Sequence, residues 1–522
     1  MSHDSIAAAT RGPFVGRDFQ LAQLLHTLTT PAHTGATNHL ITGPAGVGKS
    51  RLALEFAKHA RARGHRVVTA RAWTGSAPFW PWTQILRGLL GEPRAVELAP
   101  LVLEDPDTAS SFELFDAVVT TLRTYRGSEP LVLIFEDLHE LDPSSLTLLN
   151  YVTCAFESEQ HTDGPLLIVA TARTADAELS RCFGARIELI PFDLTQTTRL
   201  LALEHSGISE RRVALIHAAA GGLPLLLDNL RHSWTAAAQG ELAHEPLAAI
   251  LKQRLTQLPT DVRGTLAALA VLGQGDTSDL SRVAELSPDR VLAALAQAAE
   301  LQMINDTVPI TFAHTIIRDA VADQLPPPQA TALHERAARL FAASTTQVAR
   351  HARHLTQAGP AHAPAAARAC LLAARRALNQ LAFADSAALC QLALDCLDRA
   401  SEEVTPETLA GLYLTQTLAL LRCGERGPAV AAWTAAWIPA LASGRPELIV
   451  AAARGPRTGF DFSGRLPYDI AARATHALDT VPDLSAAEQS LLHSALTGAQ
   501  LSVAPTAAVA TAARALELAQ RA

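Results

Sequence analysis

The sequence predicts an α/β domain with a mostly parallel sheet, then a helical lid, a winged-helix-like domain and an all-α array of helical repeats. Three observations lead there. Short apolar segments of strand length alternate with amphipathic segments of helical period between Phe14 and about Ile190. A glycine-rich loop, Gly43-Pro44-Ala45-Gly46-Val47-Gly48-Lys49-Ser50, falls between one such strand and the helix after it. Beyond Pro326-Pro327-Pro328 the chain is helical in pattern and rich in alanine.

The loop fits G-x-x-x-x-G-K-[ST] without a gap, and its surroundings have the required order of strand, loop and helix. His39-Leu40-Ile41-Thr42 reads as a buried strand, and the segment opening at Ser50 carries Leu52, Phe56, Ala57 and Ala60 on one face. Gly43, Gly46 and Gly48 allow the backbone to turn its N–H groups inward around phosphates, and the helix N-terminus adds partial positive charge. Lys49 then reaches the β- and γ-phosphates while the Ser50 hydroxyl holds Mg²⁺. Lysine is scarce here: Lys49, Lys58 and Lys252 are the three lysines among 43 basic residues. A compact ammonium sits at Lys49 where a guanidinium fork would not fit. The pattern implies a site for ATP or ADP with Mg²⁺.

Composition narrows the classes. A chain of 522 residues suggests roughly three or four domains. A formal charge of −8 and a pI near 6.2 argue against a dominant nucleic-acid surface. Six cysteines (Cys154, Cys182, Cys370, Cys390, Cys396, Cys423) contain no C-x-x-C pair, which suits reduced thiols in a cytoplasmic protein. The N-terminus lacks the basic and apolar regions of a signal peptide, and no apolar run approaches the ~18 residues of a membrane span.

Along the chain, residues 1–12 read as a flexible lead-in and 13–194 as the α/β domain, with strands at Leu40–Thr42, Arg66–Ala70, Leu131–Phe135, Leu166–Thr171 and Ile187–Ile190. Residues 195–245 read as a helical lid broken at Gly221-Gly222-Leu223-Pro224. Residues 246–328 read as short helices and a strand pair near Met303-Ile304 and Ile310–Phe312, with nine acidic residues against six basic, a poor balance for a DNA reader. Residues 329–522 read as helices separated at Gly359-Pro360, Gly424, Gly444, Pro467 and Pro482, with a repeat period of about 35–40 residues. An irregular helical bundle is the alternative. The sequence stops at Ala522 directly after a helical segment without a polar cap, which suggests a truncated array.

Two further signals gather around the loop. Leu131–Phe135 delivers Glu136 and Asp137 at its C-terminal end, where open α/β sheets bind ligands. One carboxylate, Glu136, is expected to orient Mg²⁺, and Asp137 to polarise the attacking water. The alternative is a solvated acidic turn. Leu166–Thr171 leads to Ala172-Arg173 and is expected beside the loop strand, which puts Arg173 within reach of a γ-phosphate. A plain surface arginine is the alternative.

The layout resembles the STAND class of signal-transduction NTPases, specifically the bacterial large ATP-binding LuxR-type, MalT-like regulators with an Orc1-like AAA domain and TPR-like repeats. Phe14-Val15-Gly16-Arg17 is similar to the family's entry motif, which implies that Val15 and Arg17 flank the adenine. Gly43 to Ser50 and Leu131 to Asp142 resemble its two Walker motifs, and Thr171-Ala172-Arg173 its sensor tip. Gly222-Leu223-Pro224 resembles G-x-P, implying that Pro224 packs near the base. Phe312 to Asp319 resembles the winged-helix histidine motif, implying that His314 meets the ADP β-phosphate. The chain departs from the family in having Glu136 where an aspartate is usual, Glu140 where tryptophan follows the histidine, and Thr315 after His314. No helix-turn-helix DNA-binding module is visible.

Trp73, Trp80 and Trp82 form an aromatic cluster read chiefly as packing. His351 and His354 are too few for a metal site. The leading expectation is an ATP-operated switch in transcriptional regulation, with slow hydrolysis and an unknown protein or small-molecule inducer acting through the repeats. A nucleotide-dependent oligomer stays open. So do a working AAA-type ATPase that remodels DNA or protein, and a helical scaffold with a degenerate nucleotide site.

Overall fold

The computed structural model describes residues 14–28, 38–73, 76–91, 110–126, 130–157, 165–174, 177–203, 208–227, 255–301, 303–305, 309–344, 346–400, 404–456 and 466–522. The expected lead-in, the lid beyond residue 227 and residues 246–254 lie outside them. The chain divides into two compact units, Met1–Leu340 and Phe341–Ala522.

The first unit begins with α1 (Asp18–Thr27), β1 (Asn38–Thr42), α2 (Lys49–Ala62), β2 (Arg66–Arg71), α3 (Trp80–Leu90), α4 (Ser111–Arg126), β3 (Leu131–Glu136), a single 3₁₀ turn at Leu138–Glu140, α5 (Pro143–Glu157), β4 (Leu166–Ala172), α6 (Ala177–Arg181) and β5 (Ala185–Glu188). The five strands form one parallel sheet in the order β2-β3-β4-β1-β5. Helices cover both faces, so β3 and β4 read as unbroken apolar runs rather than alternating ones. One face buries Ile41, Val132, Ile134, Leu167 and Val169 against Leu21 and Leu24 of α1 and Leu52 and Phe56 of α2. Each such fully buried side chain contributes about 1.5–3 kcal/mol. As expected, β4 lies beside β1.

The lid contributes α7 (Leu194–Ala202) and α8 (Glu210–Ala220). Asp193 and Gln196 form a reciprocal capping box at the start of α7, and Gly221 in the left-handed conformation ends α8. Next come α9 (Thr260–Leu272), α10 (Thr277–Ala284), α11 (Pro288–Glu300), the antiparallel pair β6 (Ile304–Asn305) and β7 (Thr311–Phe312), α12 (Thr315–Ala322) and α13 (Pro327–Phe341). Three helices followed by a two-stranded wing is the arrangement expected of a winged helix.

The second unit holds α14 (Val348–Gln357), α15 (Ala363–Asn379), α16 (Phe383–Asp398), α17 (Pro406–Arg422), α18 (Arg426–Ser443), α19 (Pro446–Ala453), α20 (Leu466–Thr480), α21 (Ala486–Val503) and α22 (Pro505–Arg521). From α15 onward the helices come in pairs that start at residues 363, 406, 446 and 486, spacings of 43, 40 and 40 residues. This lies at and just beyond the long end of the expected period. Alanines let the paired helices approach: Ala410, Ala436, Ala440 and Ala452 pack together fully buried. Gly424 and Gly444 separate helices as expected, but Pro467 does not. It lies in the first turn of α20, where a missing N–H costs nothing. His354 is buried and stacks on Phe341, a structural role as expected. Among the described residues no helix is long and apolar enough to cross a membrane.

Candidate functional site

The carboxyl ends of four parallel strands converge on one edge of the sheet. β1 ends in the glycine-rich loop, β2 in Arg71, β3 in Glu136 and β4 in Ala172-Arg173. Parallel strands present their ligand sites at this edge.

The loop adopts the backbone its glycines allow. Gly43, Gly46 and Gly48 have φ of +145°, +78° and +100°. A Cβ on Gly43 would stand 2.3 Å from the Leu189 carbonyl oxygen, so no other residue fits. Gly48 is the N-cap of α2, which has neither a side-chain cap nor an acidic residue in its first turn. Its first-turn N–H groups and positive dipole end suit a phosphate. The Lys49 ammonium, buried, donates to the carbonyls of Gly43 (2.7 Å) and Pro44 (2.9 Å), which leaves it directed over the loop. Burial lowers its pKa to about 8, the Asp137 charge opposing and Arg173 adding to the effect. Pro44 and Ser50 are exposed on the loop, Ala45 is partly so, and Val47 is fully buried in the sheet core.

Glu136 closes β3, and burial raises its carboxyl pKa to about 7, with Arg71 opposing and Asp137 reinforcing. Asp137 follows in the left-handed region, φ +58°, a conformation that costs roughly 1 kcal/mol or more in a non-glycine residue. Two contacts hold it there. Its N–H donates to Thr171 Oγ1 (3.0 Å), and its carboxylate accepts from Arg71 Nε (3.1 Å). Asp142 serves the scaffold instead, accepting from Ser145 N and Oγ at the head of α5 and from the Phe79 N–H. Trp82 is fully buried and donates to the Ser145 carbonyl, in keeping with packing.

Around the base side, Arg17 is buried over the Phe192 ring, 4.8 Å from its centroid, and donates to the carbonyls of Val47 and Ile190. It therefore ties the loop to the exit of β5. Val15 packs beside Phe192 in the cluster that holds the lid helices. Pro224 is half-buried, and its neighbour Leu225 donates its N–H to the Gly46 carbonyl (3.3 Å).

Helix α12 brings charged side chains to the same edge. Asp319 of α12 forms an ion pair through Oδ2 with Arg173 Nη2 at 2.6 Å and through Oδ1 with Arg318, and Arg318 Nη2 donates to Glu140 Oε1 at 2.8 Å. Glu140, Arg318, Asp319 and Arg173 thus form a ladder of alternating charge between two strand ends and α12. The sequence pattern assigns Arg173 to a γ-phosphate; here its guanidinium is engaged by Asp319 instead. His314 is the N-cap of α12 and is exposed to water.

The residues present fit a nucleotide and Mg²⁺. The uncapped α2 N-terminus and buried Lys49 suit phosphates, and Ser50 and Glu136 are the oxygen donors beside them. Among the described residues no group of three or more His, Cys, Asp or Glu makes a metal cage. Mg²⁺ takes one or two protein oxygens together with phosphates, a role that Ser50 and Glu136 can fill.

Comparison with known proteins agrees with this geometry. Residues 13–169 match the family model described as an AAA ATPase domain. The domain is a P-loop NTPase. The matched segment covers under a third of the chain. A curated, uncharacterized protein of Rhizobium meliloti (strain 1021) is 26% identical over 475 residues, 77% of this chain and 44% of that protein. The chain thus spans less than half the length of that relative. A STAND protein with a tetratricopeptide repeat sensor from Pyrococcus horikoshii aligns over 98% of this chain and 78% of its own, at 12% identity and a TM-score of 0.48. The RuvB Holliday junction branch migration motor of Thermotoga maritima aligns over 61% and 99%, at 15% identity and a TM-score of 0.29.

Sequence reasoning misses Arg71, Arg318 and Asp319 as residues of the NTPase site. Arg71 is within its reach, since it ends a parallel strand at the ligand edge. The pairing of α12 with Glu140 and Arg173 depends on how a distant segment folds back, which local pattern does not carry.

Proposed function

We propose that this chain is a nucleotide-operated regulatory switch of the STAND type, with ATP and ADP as alternative ligands, Mg²⁺ as companion cation and slow hydrolysis as the reset. The observation that carries the reading is the ion pair between Arg173, at the phosphate edge, and Asp319 on α12. A γ-phosphate and Asp319 compete for one guanidinium, so the nucleotide that carries the extra phosphate favours release of α12.

In this reading the backbone of Gly43, Pro44, Ala45, Gly46, Val47 and Gly48, with Lys49, holds the phosphates. Ser50 and Glu136 hold Mg²⁺, which supplies charge neutralisation when bound. Asp137 orients and polarises the attacking water, and Arg173 senses the terminal phosphate. His314 meets the diphosphate in the closed form, while Val15, Arg17 and Pro224 shape the base side. Asp137 is paired with Arg71 in the closed arrangement, so its carboxylate is engaged there and not free to orient a water, which suits slow turnover.

Moving such a switch from 1:99 to 99:1 takes about 5.5 kcal/mol of differential binding. Exchanging several part-buried charged hydrogen bonds, each about 1.5–3 kcal/mol, reaches that range. The helical repeats would receive an unknown protein or small-molecule inducer, and transcriptional regulation in the cytoplasm is the setting that the resemblance suggests. The test is calorimetric binding of ATP, ADP and a non-hydrolysable ATP analogue to the chain and to Lys49→Ala, with phosphate release followed in parallel. Binding lost in the variant, with turnover well below ~1 per second, supports the switch. Fast turnover points to a working ATPase, and no binding to a scaffold.

A further inference from the structure

One oxygen, Glu140 Oε1, lies between two donors. Arg318 NH2 of α12 is 2.8 Å away, and Nε2 of the neighbouring His139 is 3.8 Å away, just beyond hydrogen-bond reach. Both ring nitrogens of His139 are buried without a hydrogen-bond partner. Leaving a desolvated polar atom unpaired is costly, and such atoms in folded proteins call for an explanation. His139 lies in the 3₁₀ turn directly after Asp137 and feels the charges of Asp137, Glu140, Arg173 and Lys49.

We infer that Glu140 is a two-position latch, bound to Arg318 when α12 is docked and to His139 when α12 has left. Docking draws the carboxylate to Arg318 and strands the imidazole. Undocking removes the guanidinium, and a shift of under about 1 Å brings Oε1 onto His139 Nε2. The carboxylate therefore has a partner in both states, whereas the imidazole has one only in the open state. That asymmetry makes His139 a positioning residue that favours opening, and Arg318 one that favours closure. Burial lowers the pKa of His139, so its partner bond is that of a neutral imidazole N–H to a carboxylate. The 3₁₀ turn Leu138–Glu140 follows Asp137 directly, so the latch sits close to the water-polarising carboxylate. The chain departs from the family it resembles at this very residue.

The inference deepens the switch reading and rests on it for its meaning, but its test does not need nucleotide. Amide exchange of residues 315–322 is measured in the full chain without nucleotide for wild type, Arg318→Gln, His139→Phe and His139→Gln. Arg318→Gln should speed exchange about fivefold, and His139→Phe should slow it by a similar factor, the usual scale of coupling between sites. His139→Gln keeps an N–H near the Nε2 position and should stay within about twofold of wild type. Thermal unfolding checks that each variant is folded. If folded His139→Phe exchanges as wild type does, or moves in the same direction as Arg318→Gln, the latch is wrong. If His139→Phe does not fold, His139→Leu and His139→Gln carry the same comparison. The affinity ratio of ATP analogue to ADP, read on the same proteins, reports separately on the switch. An equal ratio in wild type would remove the nucleotide reading while the opposed exchange effects would still stand or fall alone.

Discussion

Asp319 Oδ2 lies 2.6 Å from the Arg173 guanidinium, while the other oxygen of the same carboxylate holds Arg318. Asp319 and Arg318 of α12 together therefore link the tip of β4 to the turn after β3. With Arg173 and Asp319 each about one-third exposed, the pair is reachable by a competing anion.

Asp319→Asn keeps the shape of that side chain and removes its charge. Arg173 is then freer to take a terminal phosphate, and affinity for a non-hydrolysable ATP analogue should rise about tenfold relative to ADP, within the range of allosteric couplings. Arg173→Ala should erase the preference between the two. Calorimetric titration of each variant with both nucleotides checks the pair.

Asp137→Asn separates binding from hydrolysis. Asparagine tolerates the left-handed backbone at φ +58° and can still donate its N–H to Thr171 Oγ1, so the turn should survive. Without the carboxylate the attacking water loses its polarising group, and phosphate release should fall by about 10²-fold or more. Nucleotide affinity should change by less than about threefold.

Two glycines with positive φ predict different costs. At Gly43 a Cβ would collide with the Leu189 carbonyl oxygen at 2.3 Å, and the backbone atom has no room to give way. Gly43→Ala should lower the melting temperature of the first unit by well over the ~4 °C expected of a loss near 1 kcal/mol, and should abolish nucleotide binding. At Gly64, φ +88°, a Cβ meets nothing within 4 Å. Gly64→Ala should cost only the backbone strain, about 1–2 kcal/mol, with binding intact. Differential scanning calorimetry distinguishes the two.

The sheet is legible in the sequence because its central strands are covered on both faces, which writes Leu131–Phe135 and Leu166–Ala170 as continuous apolar runs. The loop is legible because phosphate binding demands glycine at positions where φ is positive. Pro467 misleads as a separator, since a proline marks a helix start as readily as a stop. The clasp is not legible at all. Glu140 and Arg318 are 178 residues apart, and only the fold brings them to 2.8 Å. His139 stands next to the acidic pair in the sequence, but only burial turns its imidazole into an unpaired group.

His39 predicts a dependence of stability on pH. It is buried in β1, neither ring nitrogen has a hydrogen bond, and burial lowers its pKa below the ordinary 6.5. The unfolded chain therefore takes up the proton more readily than the folded one. Its contribution to stability is complete above about pH 6.5 and is lost as the pH falls below that value. His39→Leu should flatten the loss of melting temperature between about pH 7.5 and 5, with His334, also lowered by burial, accounting for part of what remains.

Amide hydrogen exchange of α12, residues 315–322, measured with saturating ADP and then with a non-hydrolysable ATP analogue, bears most directly on the nucleotide switch. Stronger protection with ADP and faster exchange with the analogue, the difference disappearing in Arg173→Ala, is the result expected if Asp319 and a γ-phosphate compete for Arg173. Equal protection under both nucleotides, with both bound, would contradict it.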